Sequence, residues 1–307
     1  MGWTVRDIPD LKGRTAVVTG ANSGLGYVTA RELARRGARV ALACRSQDRG
    51  QAALERLFDE VPEARAEMRL LDLADLASVR AFAVEWGERR LDLLINNAGL
   101  MAVPYARTAD GFEMQFGVNH LGHFALTGLL IDRLLASPQA RVVTVSSVMH
   151  LLANVDLRDL NSQRKYGRWV AYGRSKTANL LFTHELARRL RGRHVVAAAV
   201  HPGFARSALH TRGARLVGSR LQERLARLGT RLFATPPEAG ATPSLYAATA
   251  PGVAPDSFTG PGLLGPRVPR GGGGPCDAWR APWTRNDVAA ARLWDASEEL
   301  TGVRWGV

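Results

Sequence analysis

Thr15-Ala16-Val17-Val18-Thr19-Gly20-Ala21-Asn22-Ser23-Gly24-Leu25-Gly26 carries a short apolar run into a glycine-rich turn, and a helical pattern from Tyr27 to Arg36, closed by Gly37, follows it. A strand that passes through glycines into a helix brings free backbone N–H groups and the positive end of the helix dipole to one point. A pyrophosphate can be held there. Gly20 is expected to permit the tight turn and Gly26 the close helix contact, with Asn22, Ser23, Gly24 and Leu25 completing the phosphate cradle. The spacing is G-x-x-x-G-x-G, not the commoner G-x-G-x-x-G fingerprint, so the position after a first strand carries the reading.

Working outward, further short runs alternate with helical patterns up to about Val200. They are Arg39 to Ala43, Met68 to Leu71, Leu91 to Ile95, Arg141 to Val145 and Val195 to Val200. Most are apolar without alternation, as strands covered on both faces should be. Right-handed crossovers then give an α/β fold: a single doubly wound Rossmann-type domain over 1–307, with a central parallel sheet flanked by helices and its crevice at the strands' carboxyl ends. Within it, 13–203 reads as the cofactor-binding and catalytic core. Residues 204–235, with Leu209, Leu216, Leu221, Leu225, Leu228 and Leu232 at near-helical spacing and seven arginines, read as an amphipathic substrate lid. The Gly/Pro-rich stretch 251–275 reads as loop, and Asn286 to Leu300 as helix.

The chain has 307 residues and a formal charge of +13, but every basic residue except Lys12, Lys165 and Lys176 is an arginine, scattered through all segments. Scatter argues for coding bias over a dedicated polyanion surface, and no nucleic-acid partner is expected. The two cysteines are too few for a disulfide framework, which fits a reducing cytoplasm. No apolar leader and no run of 18 apolar residues occurs, so no membrane span is expected. His120, His123, His150 and His201 form no cluster at ligand spacing, and no metal is expected.

At the end of the second strand stand Cys44-Arg45-Ser46, with no carboxylate to take a ribose 2′-hydroxyl. A guanidinium there suits a 2′-phosphate, so NADP(H) is favoured over NAD(H). Tyr172-Gly173-Arg174-Ser175-Lys176 sets a phenol and an ammonium four residues apart on one helix face, where the cation is expected to lower the phenol's pKa. Ser146-Ser147 ends the fifth strand, and Asn96-Asn97-Ala98-Gly99 ends the fourth.

These motifs, in this order, resemble the short-chain dehydrogenase/reductase family over about residues 12 to 205. Val118-Asn119-His120-Leu121-Gly122-His123-Phe124, the long Ser147-to-Tyr172 separation, the Leu180-to-Leu190 helix and the closing Leu293-Trp294 to Gly302-Val303 segment resemble its retinol dehydrogenase-like branch. Gly173-Arg174 inside the tyrosine motif and the glycines at 271–274 depart from it. The resemblance implies that Tyr172 exchanges a proton with the substrate oxygen and Ser147 orients that oxygen. Lys176 would bind nicotinamide-ribose hydroxyls, and Asn119 would hold a water joining Lys176 to solvent. Asp72, beside Leu73, would contact the adenine; Asn97, Ala98 and Gly99 would line the adenine-ribose side, and Pro202-Gly203 the nicotinamide pocket. Against these stand duller roles: Asn119 kinking its helix, Asp72 starting one, and Ser146 in place of Ser147.

The function implied is NADP(H)-dependent interconversion of a carbonyl and an alcohol on a hydrophobic small molecule, in a homo-oligomer. The alternatives are a redox-neutral, epimerase-like reaction and a non-catalytic NADP(H)-binding module. An acidic carrier protein or anionic substrate at 204–235 is the rival to a solvated lid.

Overall fold

Most of the apolar runs become strands because they present side chains to helices on both sides. A computed structural model describes residues 2–203, 236–261 and 274–307. Its strands are β1 Thr15–Thr19, β2 Arg39–Cys44, β3 Arg65–Leu70, β4 Leu93–Asn96, β5 Ala140–Val145, β6 Val195–Val200, β7 Phe258–Pro261 and β8 Pro275–Asp277. They form one sheet in the order β3-β2-β1-β4-β5-β6-β7-β8, parallel except for β8 against β7. The α-helices are α1 Gly24–Arg35, α2 Gln47–Glu60, α3 Leu76–Trp86, α4 Met114–Phe116, α5 Gly122–Leu129, α6 Ile131–Leu135, α7 Arg168–Arg189, α8 Pro237–Thr249 and α9 Asp287–Thr301.

The strand period of two sorts the core. Ala16, Val18, Val40 and Leu42 pack with α1, α2 and α8, whereas Val17, Ala41, Leu94 and Val142 pack with α3, α5, α7 and α9. The order reverses between β1 and β4, which pair directly through Val17 and Leu94. The carboxyl ends of these two strands therefore open a crevice, as in other doubly wound sheets.

Three expectations need correction. β3 starts at Arg65 and ends at Leu70, and its residues are half-buried or exposed because it is an edge strand paired only with β2. β4 begins at Leu93, since the Asp92 amide still bonds the Thr15 carbonyl and the buried Asp92 side chain takes the Thr15 amide (2.8 Å) and Ser137 hydroxyl (2.7 Å). The stretch 251–275 is not all loop: Phe258–Pro261 pairs with β6, and Pro275 opens β8. Its Gly and Pro content hid a short strand, which Pro tolerates only at edges and ends. The lid at 204–235 lies outside the described residues.

A charged clasp closes the far end of α7. His184 bonds Asp256 (2.8 Å) through Nδ1 and Asp287 (2.7 Å) through Nε2, while Arg280 grips both oxygens of Asp256. Hydrogen bonding to Asp256, then to Asp287, raises the His184 pKa against the opposing effect of burial. A histidine with a raised folded-state value stabilises fully below the ordinary histidine range and loses that contribution as pH climbs through the raised value. His184→Asn is accordingly expected to lower the melting temperature by roughly 2–4 °C at pH 6 and by clearly less at pH 9, read by circular dichroism. An equal difference at both values would separate the clasp from protonation.

Candidate active site

The phosphate turn is set by two glycines. Gly20 has φ 67°, and its amide bonds the Ala43 carbonyl (2.8 Å), tying the turn to the end of β2. A side-chain carbon on Gly26 would lie 2.5 Å from Asn97 Nδ2 and 2.6 Å from the Gly20 carbonyl oxygen, so α1 reaches the sheet only because nothing projects there. Ser23 caps α1 without a side-chain bond, and a carbon on Gly24 would meet nothing within 4 Å. The first-turn amides of α1 have no intrahelical acceptors, and the space beside Gly24 is open, a donor set that a dinucleotide's pyrophosphate requires. Asn22 and Leu25 are half-buried beside it. Arg45 is exposed at the end of β2 and makes no ion pair among the described residues.

Thr19 organises the crevice floor, a role that the sequence reading missed. Its hydroxyl oxygen accepts the amides of Asn97 and Ala98 (2.9 Å each), and Asn97 Nδ2 donates to the Thr19 carbonyl (2.8 Å). His123 completes the link: Nδ1 donates to the Asn119 carbonyl (3.1 Å), which leaves Nε2 to accept the Thr19 hydroxyl (2.9 Å). Burial pushes its pKa down to about 4, so the ring is neutral. No periodicity or spacing could have shown this chain of bonds.

Asn119 sits in a π-helical turn, Gly117–Leu121, between α4 and α5. Such turns often mark functional positions. Its Oδ1 accepts the Leu100 amide (2.7 Å), and Nδ2 donates to the Leu100 carbonyl and to Ser175 Oγ (2.9 Å each). The carboxamide therefore braces the loop after β4 against α7, and only the second lone pair of Oδ1 is left for a water. A carbon on Gly99 would stand 3.1 Å from Asn119 Oδ1 and 3.5 Å from Lys176 Nζ, which places β4's end against these two side chains.

The two serines separate. Ser146 Oγ donates to the Lys176 carbonyl (2.7 Å) and is buried, whereas Ser147 is half-buried and caps the 3-10 turn Val148–Leu152, accepting the Met149 amide (3.2 Å). Ser147 is thus the hydroxyl with a proton left to offer. On α7, Tyr172 is 5% exposed and Lys176 4%. Lys176 Nζ donates to the Val145 carbonyl (3.0 Å) and lies 5.8 Å from the Tyr172 ring centroid. Gly173 explains itself: a side-chain carbon there would come 2.8 Å from the Met149 carbonyl and displace the turn that carries Ser147.

The expected lowering of the phenol's pKa by Lys176 is not found. Burial pushes Tyr172 up to about 12, only partly offset by the Ser147 hydroxyl, and burial pulls Lys176 down to about 8. The ammonium donates to the Val145 carbonyl, and desolvation dominates both groups. A phenol that keeps its proton is an acid, the form that a carbonyl oxygen needs when it is being reduced.

Asp72 and Leu73 lie toward the β3 end of the same edge. Asp72 Oδ1 accepts the Ala74 amide (2.9 Å) in the turn before α3, whose N-cap is Asp75 and not Asp72. Leu73 packs its carbonyl on Gly122. Pro202 and Gly203 follow β6; Gly203, with φ 64°, donates its amide to His201 Nδ1 (3.2 Å). Among the described residues, no group of three or more His, Cys, Asp or Glu side chains is placed to hold a metal ion, and no helix is long and apolar enough to cross a membrane.

Residues 14–215 match the short chain dehydrogenase family. The chain belongs to that family. It falls in the retinol dehydrogenase-like branch: human retinol dehydrogenase 12 is 45% identical over 306 residues, covering 99% of this chain and 91% of that protein. Human retinol dehydrogenase 13 is 44% identical over 95% of this chain and 86% of its own. Among solved short-chain dehydrogenase-like structures, an uncharacterised protein from Mycobacterium paratuberculosis superposes with a TM-score of 0.80 at 44% identity, covering 100% of both chains. A gluconate 5-dehydrogenase from Beutenbergia cavernae, described as NAD(P)-dependent and solved with NADP, has a TM-score of 0.63 at 29% identity over 82% of this chain and 96% of its own. As a short-chain dehydrogenase the protein is an oxidoreductase that interconverts carbonyl and alcohol groups.

Proposed function

We propose that this dehydrogenase uses NADP(H) to interconvert an aldehyde or ketone with an alcohol on a hydrophobic small molecule. The observation that carries the reading is the convergence of Tyr172, Ser147 and Lys176 beside the glycine turn, with the phenol held protonated. The retinol dehydrogenases that the chain resembles act, by their names, on a long apolar alcohol, which supports the substrate class.

When bound, the nicotinamide supplies or accepts the hydride. The chain's own residues do the rest. The amides of Gly24, Leu25 and Gly26 would hold the pyrophosphate, and Asn97 to Gly99 and Asp72 would border the adenosine. In reduction, Ser147 donates to the substrate oxygen and Tyr172 Oη gives it a proton, while the crevice walls exclude water. Lys176 would hold cofactor hydroxyls, and Pro202-Gly203 would border the ring pocket. Oxidation runs the same proton path backwards.

Mixing the protein with NADPH and a panel of aldehydes and ketones of rising chain length tests this reading. Absorbance loss at 340 nm is expected, with kcat/KM rising with apolar length. Product formation without net NADPH loss would instead mark the redox-neutral reaction, and tight NADPH binding with no turnover the binding module.

The cofactor preference rests on Arg45, exposed where no carboxylate stands. A guanidinium clamps a 2′-phosphate through paired charge-assisted bonds. Arg45→Asp is expected to shift the NADPH-to-NADH ratio of kcat/KM toward NADH by about 10²-fold, or roughly 2.7 kcal/mol. An unchanged ratio would remove Arg45 from cofactor choice.

A further inference from the structure

His150 lies at the centre of the 3-10 turn that Ser147 caps, and it is fully buried. Its Nδ1 stands 2.6 Å from the Ser147 carbonyl, and that carbonyl also takes the His150 amide (3.1 Å). On its other side, Nε2 accepts the Ala281 amide (3.2 Å). A carbonyl must be given a proton and an amide must be offered a lone pair, so these two partners dictate one neutral tautomer, with the proton on Nδ1. The ring packs edge-on to Phe258, with centroids 5.4 Å apart and an interplanar angle of 89°. The His150 carbonyl in turn accepts the hydroxyl of Thr177, the residue after Lys176 (3.1 Å).

We propose that His150 is a positioning residue for the reaction: held between the Ala281 amide and the Ser147 carbonyl, its ring fixes the direction in which the Ser147 hydroxyl meets the substrate oxygen. The proposal rests on the reading of Ser147 as the orienting hydroxyl. It makes the segment around Ala281 part of the machinery, since that amide enforces the tautomer that donates to Ser147. Arg280 clamps the same segment to Asp256. The direction of the His150 titration agrees, because burial lowers its pKa against the opposing effect of the Ser147 bond, with the Arg280 charge adding to the lowering.

Three replacements separate the two ends of the ring. Asn at 150 puts an amide donor near the place of Nδ1 and loses the contact to Ala281. Gln reaches the place of Nε2 and can accept from Ala281, but it offers nothing to Ser147. Phe fills the space with neither bond. The Met149 amide bonds Ser147 Oγ and so reports the hydroxyl's direction without turnover; selective 15N labelling distinguishes it among five methionines.

His150→Asn is expected to leave the Met149 signal near its wild-type position and kcat within about threefold. His150→Gln and His150→Phe are expected to move the signal and lower kcat about tenfold or more, with KM for NADPH within about twofold, since small misplacements at a reacting centre are costly. An unmoved Met149 signal in the Gln and Phe variants, or equal kcat losses in all three that simply follow melting temperature, would overturn the proposal. If the wild-type protein reduces no carbonyl, the functional reading fails, whereas the Met149 signal still decides whether His150 directs Ser147.

Discussion

Tyr172→Phe is expected to lower kcat/KM for carbonyl reduction by about 10³-fold while leaving NADPH affinity within about twofold. The magnitude follows from what a positioned proton donor contributes, roughly 10²–10⁴-fold. The substitution removes one oxygen and little volume, so the burial of the ring at 5% exposure is kept and the helix is not disturbed. What disappears is the hydroxyl proposed as the proton source. Burial holds the phenol near 12, against a smaller opposing effect of the Ser147 hydroxyl, so throughout the neutral range the group is present as the acid. Single-turnover mixing with NADPH, followed at 340 nm, separates the proton-coupled step from cofactor binding, which fluorescence titration reads alone. Wild-type turnover in the variant would mean that another group, or water, protonates the product, and the assignment of Tyr172 would fall. The loss should also be larger than that of Ser147→Ala, because the serine only orients an oxygen that the tyrosine must protonate.

The fold was legible because parallel strands covered on both faces are written as uninterrupted apolar runs, as at Ala16 to Val18 and Val195 to Val200. Where burial is one-sided the pattern fades. β3, with Arg65, Glu67 and Arg69 in its sequence, starts three residues before its apolar run does and ends one residue before it. β7 was hidden by Gly260 and Pro261, since its pairing is settled by the neighbouring β6 and not by its own composition. The site divides in the same way. Chemistry carried by local spacing could be read, as for the glycine turn and the Tyr172–Lys176 pair. Chemistry carried by contacts distant in the chain could not. Thr19 meets Asn97 and His123, and Asn119 meets Leu100 and Ser175, across separations that no window of sequence spans. The sign of the tyrosine shift is hidden from the sequence for a related reason. Spacing shows that a cation is near, but not that its ammonium turns toward Val145 while burial acts on both groups.

Burial also produces the second large effect, because it makes Lys176 a residue that serves activity against stability. Its ammonium is buried with the Val145 carbonyl as its hydrogen-bond acceptor, and burial draws its pKa from 10.5 to about 8. A lysine with a lowered folded value binds fewer protons folded than unfolded between those limits, so it destabilises the protein most below pH 8, and the penalty fades as pH rises toward the unfolded value. The shift corresponds to a ceiling of about 3 kcal/mol. Lys176→Met keeps the length and apolar stem of the side chain, and Val145 retains the Asn179 donor at 3.1 Å. The variant is therefore expected to be more stable than wild type at pH 7 by about 1–2 kcal/mol in urea unfolding, after allowance for the lost bond. Its carbonyl reduction is expected to fall by about 10²-fold or more as the cofactor hydroxyls lose their ammonium partner. The stability gap should narrow between pH 7 and 9.5, a range that ends before the raised Tyr172 group begins to favour the unfolded chain. A variant less stable at pH 7, or a gap that does not change with pH, would show that the Val145 bond outweighs desolvation and that the lysine is a structural prop. Gain of stability with loss of turnover would mark it as a charge that folding alone disfavours and that the reaction requires.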